Sequence, residues 1–143
     1  MRSATGPAGF RGLDAKFRRA AKQRFTSAES LLRNEMTLDA VYLGGYAAEC
    51  AMKALILRNT RPKEQKATLS RICRGAVGHD LETLKAMLQE RGFRMPNGVG
   101  RSFLRVVTWS TDLRYEVGLL RYNEAESFLV AVKDVVDWVE GSW

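Results

Sequence analysis

The chain has 143 residues and a formal net charge of +7, with 45% hydrophobic and 27% charged residues. This length fits one domain with its own hydrophobic core, and the composition excludes an intrinsically disordered chain. One histidine and two cysteines cannot supply the four protein ligands of a structural zinc site, so we expect no metal and no cofactor.

The positive charge is concentrated in two segments of the chain. Residues 1–36 carry 8 basic and 3 acidic side chains, and residues 58–94 carry 9 basic and 4 acidic side chains. The remaining segments, 37–57 and 95–143, are slightly negative. This distribution is compatible with an anionic partner, either a nucleic acid or an acidic protein, and also with a solvated basic surface.

The glycine- and proline-containing N-terminus, residues 1–12, predicts a flexible tail before a single domain at 13–143. It lacks the apolar block of a signal peptide, and no run approaches the length of a membrane span. We therefore expect a cytoplasmic protein with reduced cysteines and no membrane partner. From Leu13 onward, apolar residues recur at helical spacing and predict a first helix.

Residues 38–58 predict a central helix, with Thr37 or Asp39 as its cap. Its apolar residues fall on two opposite faces, as in a buried helix. Between those faces runs a polar seam with the spacing i, i+4, i+7, i+11, formed by Tyr42, Tyr46, Glu49 and Lys53. Glu49 and Lys53 are expected to form a structural ion pair or to line a cleft.

The segment after Pro62 predicts a short basic helix over 63–74, a turn at Gly75 and Gly78, and a helix over 81–91. His79 or Asp80 is expected to cap the helix over 81–91. A glycine- and proline-containing loop over 92–100 should precede another helix at 101–109, followed by a partly irregular segment over 112–121.

The last helix is predicted from the apolar stripe of residues 128–139, and Asn123 with Glu126 fits a capping box at its start. No segment shows a convincing alternation of period two. The sequence therefore predicts an all-α fold, an up-and-down bundle of four to six helices.

Three segments, in this order and spacing, carry a resemblance to a known family. They are AAECAMKALIL at 47–57, GHDLETL at 78–84, and Arg114-Tyr115 followed by NEAESFLVAVKDVVDWV at 123–139. Together they resemble the HEPN domain over about residues 13–140. The resemblance implies a helical bundle that commonly forms a homodimer. The pair Gly44-Gly45 inside the central helix supports close packing there, possible against a second subunit.

Many HEPN domains are metal-independent ribonucleases whose signature is an arginine followed by a histidine four to six residues later. The resemblance matches that arginine to Arg114, but the positions where the histidine would stand are Leu119, Leu120 and Arg121. An arginine and a histidine with the right spacing occur earlier, as Arg74 and His79, in a predicted loop. The candidate catalytic residues are therefore His79, Arg74 and Arg114.

Each candidate has a structural and a functional interpretation. Arg114 either pairs with Glu49 or holds a phosphate, and His79 either caps a helix or acts as a general base. The two tyrosines of the seam either pack in the core or stack on a base. The candidate ligand-binding residues are Tyr42, Tyr46, Glu49, Lys53, Arg114 and Tyr115.

The sequence is compatible with two principal functions. The first is a dimeric binding module without ribonuclease activity, whose ligand is a nucleotide, RNA or a partner protein. The alternative is a metal-independent endoribonuclease of the toxin or defence type that uses a rearranged Arg/His set. The resemblance also makes a nucleotidyltransferase-like partner protein possible, and a purely structural scaffold remains a third interpretation.

Overall fold

The computed structural model describes residues 12–74, 79–109, 113 and 115–143. This part of the chain contains no strand, and the predicted all-α bundle is confirmed. The predicted tail, apart from Gly12, and the predicted turn at Gly75 and Gly78 lie outside the described residues. The α-helices are α1 (Leu13–Arg33), α2 (Thr37–Arg58), α3 (Gln65–Ile72), α4 (Leu81–Glu90), α5 (Asn97–Val106) and α6 (Tyr122–Ser142).

Helix α2 lies at the centre of the bundle. It packs along α1 and against α6, with α3 and α4 on its other sides. Of its 22 residues, 16 are buried, so both of its apolar faces are covered by the chain itself. The second subunit that the sequence allowed for one of these faces is therefore not needed to cover it.

The expectation that no segment reaches the length of a membrane span is wrong for α2. Within the described part of the chain, α2 is long and apolar enough to cross a membrane by length and composition. However, 78% of this apolar stretch of α2 is buried inside the bundle. A helix that is apolar on both faces and covered by neighbouring helices is typical of a protein core.

A tight turn joins α1 and α2. Glu35 takes the left-handed backbone conformation with φ 61°, and the Met36 amide donates to the carbonyl of Leu31 at 2.9 Å. Neither Thr37 nor Asp39 caps α2, since Met36 precedes the helix and no side chain caps it. The Thr37 hydroxyl instead binds the backbone of Leu120, donating to its carbonyl and accepting from its amide, each at 2.8 Å.

Two helix starts differ from the prediction. Helix α5 begins at Asn97, so Gly98 and Gly100 lie inside it. Each glycine costs about 1 kcal/mol in a helix, but Phe103 and Val106 are fully buried, and this burial more than offsets that cost.

Helix α6 begins at Tyr122 without a side-chain cap. The predicted capping box is therefore wrong, because Asn123 and Glu126 both lie inside the helix. The apolar stripe predicted for α6 is confirmed, and its valines pack in the core of the bundle.

Candidate functional site

Glu49 and Lys53 form a buried ion pair on α2. The Lys53 ammonium donates to Oε2 of Glu49 at 2.8 Å, and each residue is only 4% exposed. The spacing i, i+4 places both side chains on one side of the helix, so the predicted pair is confirmed. Two charges withdrawn from water need such a partner, because an unpaired buried charge is strongly destabilising.

His79 completes this cluster from outside α2. Its Nδ1 lies 2.8 Å from Oε1 of Glu49. Because a carboxylate only accepts hydrogen bonds, Nδ1 is the donor in this contact, an arrangement that in a neutral imidazole leaves the lone pair on Nε2. The His79 side chain remains 39% exposed. Glu49 therefore orients an imidazole that solvent can reach.

Of the two residues predicted to cap α4, the His79 alternative is wrong and the Asp80 alternative is confirmed. Asp80 is the residue that caps α4, and its Oδ1 accepts from the Glu82 amide at 3.1 Å. The short carboxylate of aspartate reaches the free amides of the first turn. The preceding residue, His79, is thereby free to turn toward α2.

Aromatic rings form one wall of the cluster. Tyr46 makes edge-to-face contacts with Tyr42, His79 and Trp109, with ring centroids 5.2, 5.9 and 4.9 Å away. The indole Nε1 of Trp109 donates to the Tyr42 carbonyl at 3.0 Å. Such edge-to-face pairs stabilise a fixed arrangement of rings.

The indole ring of Trp109 lies directly on the backbone of α2 at Gly45. A Cβ atom at position 45 would overlap the Trp109 ring, and a Cβ at Gly44 would lie 2.5 Å from Leu129 Cδ2 on α6. The close approach predicted from the glycine pair is therefore used within one chain. Both contacts are possible because glycine has no side chain.

Cys50 lies one turn beyond Tyr46 on α2 and is not a reactive thiol. Burial, followed by the negative charge of Glu49, raises the pKa of the Cys50 thiol to about 11. A thiol with this pKa stays protonated near neutral pH and is a poor nucleophile. Among the described residues no three His, Cys, Asp or Glu side chains come together as a metal site would require.

The comparison with protein families agrees with this architecture. The HEPN domain family matches residues 15–142, nearly the whole chain. The chain belongs to the HEPN family. No curated protein and no solved structure matched the chain significantly. HEPN domains act as ribonucleases or as binding modules, so membership alone does not choose between the two functions.

The HEPN domain brings four of the six predicted ligand-binding residues together: Tyr42, Tyr46, Glu49 and Lys53. Tyr115 is mostly exposed and precedes the irregular segment that leads to α6. Arg114 lies outside the described residues, and so does its predicted contact with Glu49. Within the described part of the chain, the two oxygens of Glu49 face Lys53 and His79.

The Arg74 and His79 pair is not assembled through any contact that the structure describes. Arg74 is exposed beyond the end of α3, where it lines a shallow hollow with Arg71. His79 instead takes Glu49 as its partner. Of the three ribonuclease candidates, the structure therefore describes one oriented imidazole, His79, and one exposed arginine after α3, Arg74, while Arg114 lies outside the described residues.

Two contacts of the cluster were not predicted from the sequence. Trp109 was not among the candidate site residues, and His79, although a candidate catalytic residue, was not expected to contact Glu49. One signal for His79 was available: a buried glutamate has two oxygens, and Lys53 uses one of them. The second oxygen needs another donor, and His79 is the single histidine of the chain.

Proposed function

We propose that this HEPN domain is a dimeric binding module whose ligand is a nucleotide, RNA or a partner protein, and that it does not cleave RNA alone. The observation that supports this proposal most is the cluster around Glu49. There Glu49 holds the partly exposed imidazole of His79 against Tyr46, which in turn contacts Tyr42. A preformed polar group within an aromatic wall is typical of ligand sites. Rigid orientation also lowers the entropy lost on binding.

The absence of ribonuclease activity is supported by the position of the histidine. The family signature requires a histidine four to six residues after the matching arginine, and Leu119, Leu120 and Arg121 occupy those positions. Cleavage also needs a cation that stabilises the phosphoryl charge. Lys53, the cation within the cluster, already donates to Glu49.

Dimerisation is supported by an exposed apolar segment before α6. Val117 is 93% exposed and Leu119 is 75% exposed. The Thr37–Leu120 hydrogen bonds hold this segment beside the start of α2, where Met36 is also exposed. Contiguous exposed apolar side chains of this kind mark protein interfaces. We place the homodimer contact there rather than on the faces of α2.

A toxin–antitoxin or defence setting, a cytoplasmic location and a nucleotidyltransferase-like partner protein belong to the same proposal. They rest on membership of the HEPN family and on the sequence. The exposed apolar segment and the basic surface of the chain are each compatible with a protein partner.

A second candidate function is a metal-independent endoribonuclease, and the oriented His79 imidazole favours it. In that reaction Nε2 of His79 takes the proton of a ribose 2′-hydroxyl, and the 2′-oxygen attacks phosphorus to close a 2′,3′-cyclic phosphate. The 5′-oxygen leaves with the bonding electrons and takes a proton from water. A carboxylate that orients an imidazole is a recurring arrangement in general-base catalysis. Arg74 or Arg114 would have to supply the cation.

One experiment separates the two functions. The purified protein is incubated with total RNA in the presence of EDTA, beside the His79→Ala variant and beside Asp80→Asn as a control at the neighbouring position. We expect intact RNA in all three reactions. Cleavage by the wild type and Asp80→Asn that disappears in His79→Ala would replace the binding module with the endoribonuclease.

Ligand binding is measured on the same proteins. Thermal shift with a panel of ribonucleotides should show stabilisation of the wild type that His79→Ala and Tyr46→Phe reduce, since ligand that binds only the folded state raises its stability. If no nucleotide or RNA stabilises the wild type, the partner-protein branch of the proposal remains, and co-purification from the native host tests it.

A further inference from the structure

Exposed basic side chains cluster on α3 and on the short segments that flank it. No large apolar side chain lies among them. Within α3 the helical repeat of 100° per residue places Lys66, Ser70 and Arg71 on one side. Lys63 stands in the short 3₁₀ turn before α3, and Arg74 follows the end of α3. We call these five residues the α3 basic face. The opposite side packs inward through Ile72, which is fully buried, and Leu69. The four cations are exposed.

The described residues provide no carboxylate that neutralises the cations of the α3 basic face. Within the part of the chain that the structure describes, none of the four has an ion-pair partner. Cations elsewhere do have partners: Arg18 and Lys22 contact Glu140, and Lys133 contacts Asp137. Glu64 is the single acid within residues 61–74.

A comparison with α5 shows that this charge is arranged differently from other exposed arginines. Arg105 lines two surface hollows together with Glu124 and Glu126. The hollow beside α3 is lined by Ala67, Ser70, Arg71 and Arg74 and contains no carboxylate. Its small central side chains leave room for an anion between two guanidinium groups, which bind phosphate in a planar, bidentate manner.

We propose that the α3 basic face is a docking surface for the phosphate backbone of a nucleic acid. At the rise of an α-helix, the distance from Lys63 to Arg74 would be roughly 17 Å. One strand of a duplex presents about five phosphates over that distance, which matches the density of the cations. Backbone contacts of this kind are sequence-independent and need no apolar anchor.

An acidic protein fits this surface less well than a nucleic acid. Protein interfaces depend on a few large aromatic or apolar side chains that fill pockets of the partner. The α3 basic face offers Ala67 and Ser70 at its centre and no such anchor. The surface uses none of the residues around Glu49, so it does not depend on the function proposed for that site.

The test is fluorescence anisotropy of a labelled oligouridylate titrated with the full chain over a series of salt concentrations. The variant replaces Lys66, Arg71 and Arg74 with glutamine. The control replaces Arg94, Arg101 and Arg105 with glutamine, which removes the same charge from exposed positions on and before α5. Far-ultraviolet circular dichroism checks that both variants keep the helical fold.

We expect the slope of log affinity against log salt to fall by about 2 in the α3 variant, since each lost phosphate contact on a single strand removes about 0.7. The α5 control and His79→Ala should keep the wild-type slope. Parallel titrations with oligodeoxyuridylate and with duplex RNA and duplex DNA identify which nucleic acid the α3 basic face binds.

Three outcomes would overturn the proposal. An equal fall of the salt slope in the α3 variant and the α5 control would show that binding responds to the net charge of the protein alone. If His79→Ala loses affinity for the oligonucleotide and the α3 variant does not, the nucleic acid binds at the Glu49 cluster, which would support the function proposed there. Binding of polyglutamate but of no nucleic acid would make the α3 basic face a surface for acidic proteins.

Discussion

The ion pair between Glu49 and Lys53 provides the clearest prediction at the scale of single residues. Lys53→Met should destabilise the domain by about 3–5 kcal/mol, because it leaves a buried carboxylate with His79 as its remaining described partner. The double variant Glu49→Gln with Lys53→Met should cost less than the sum of the single substitutions. Urea unfolding followed by circular dichroism measures each value.

The matched control for this pair is Lys133→Met. Lys133 and Asp137 also stand at i, i+4, but both side chains are 58% exposed. An exposed pair at this spacing contributes little, because water screens the two charges. If Lys53→Met and Lys133→Met lower the free energy of unfolding equally, burial does not decide the strength of the contact between Lys53 and Glu49.

Glu140 provides a prediction about pH. Hydrogen bonds from Arg18, reinforced by Lys22, lower the pKa of the Glu140 carboxyl to about 2. Because the pKa is lower in the folded state, the contribution of Glu140 is present above the unfolded value near 4.5 and is lost as pH falls toward 2. This contact joins the beginning of α1 to the end of α6.

Urea midpoints measured between about pH 5 and pH 2.5 test this linkage. The wild type should lose more stability over this range than Glu140→Gln, whose side chain does not titrate. Asp137→Asn, which alters an exposed pair on the same helix, should keep the wild-type dependence on pH. A Glu140→Gln profile parallel to that of the wild type would contradict the assigned pKa.

At the scale of elements, the packing of α2 depends on the bare backbone of its glycines. Gly45→Ala places a methyl group in the space of the Trp109 ring. Overpacking of this kind costs about 1–3 kcal/mol, and the greater helix propensity of alanine returns at most about 1 kcal/mol. We therefore expect a net loss of stability and a change in the near-ultraviolet circular dichroism of Trp109.

Gly100→Ala is the control for the glycine prediction. Gly100 lies inside α5, and a Cβ there would meet nothing within 4 Å. This substitution should stabilise the domain by about 0.5–1 kcal/mol through helix propensity alone. Stabilisation by both substitutions would show that Trp109 can move away from α2 at little cost.

At the scale of the whole molecule, the exposed apolar segment predicts a homodimer. Val117→Asp with Leu119→Asp should convert the dimer to a monomer in multi-angle light scattering, because the charges would be buried without partners in the interface. Leu104→Asp on α5, another exposed apolar position, should remain dimeric. A monomeric wild type at high concentration would refute the dimer itself.

The sequence by itself determined the helical class of the fold, the core helix α2 and the Glu49–Lys53 pair. Each of these depends on spacing within one helix, which the 3.6-residue repeat fixes locally. The apolar stripe of α6 was predictable for the same reason. The segments that carried the HEPN resemblance also placed the family correctly.

Only the tertiary structure decided what surrounds Glu49. His79 is 30 residues away in sequence and reaches Glu49 because α4 packs beside α2, a contact that no local pattern encodes. The same holds for Trp109 over Gly45. The wrong caps at Thr37, His79 and Asn123 have a related cause: several polar residues near a helix end compete for its free amides, and long-range partners decide which are available.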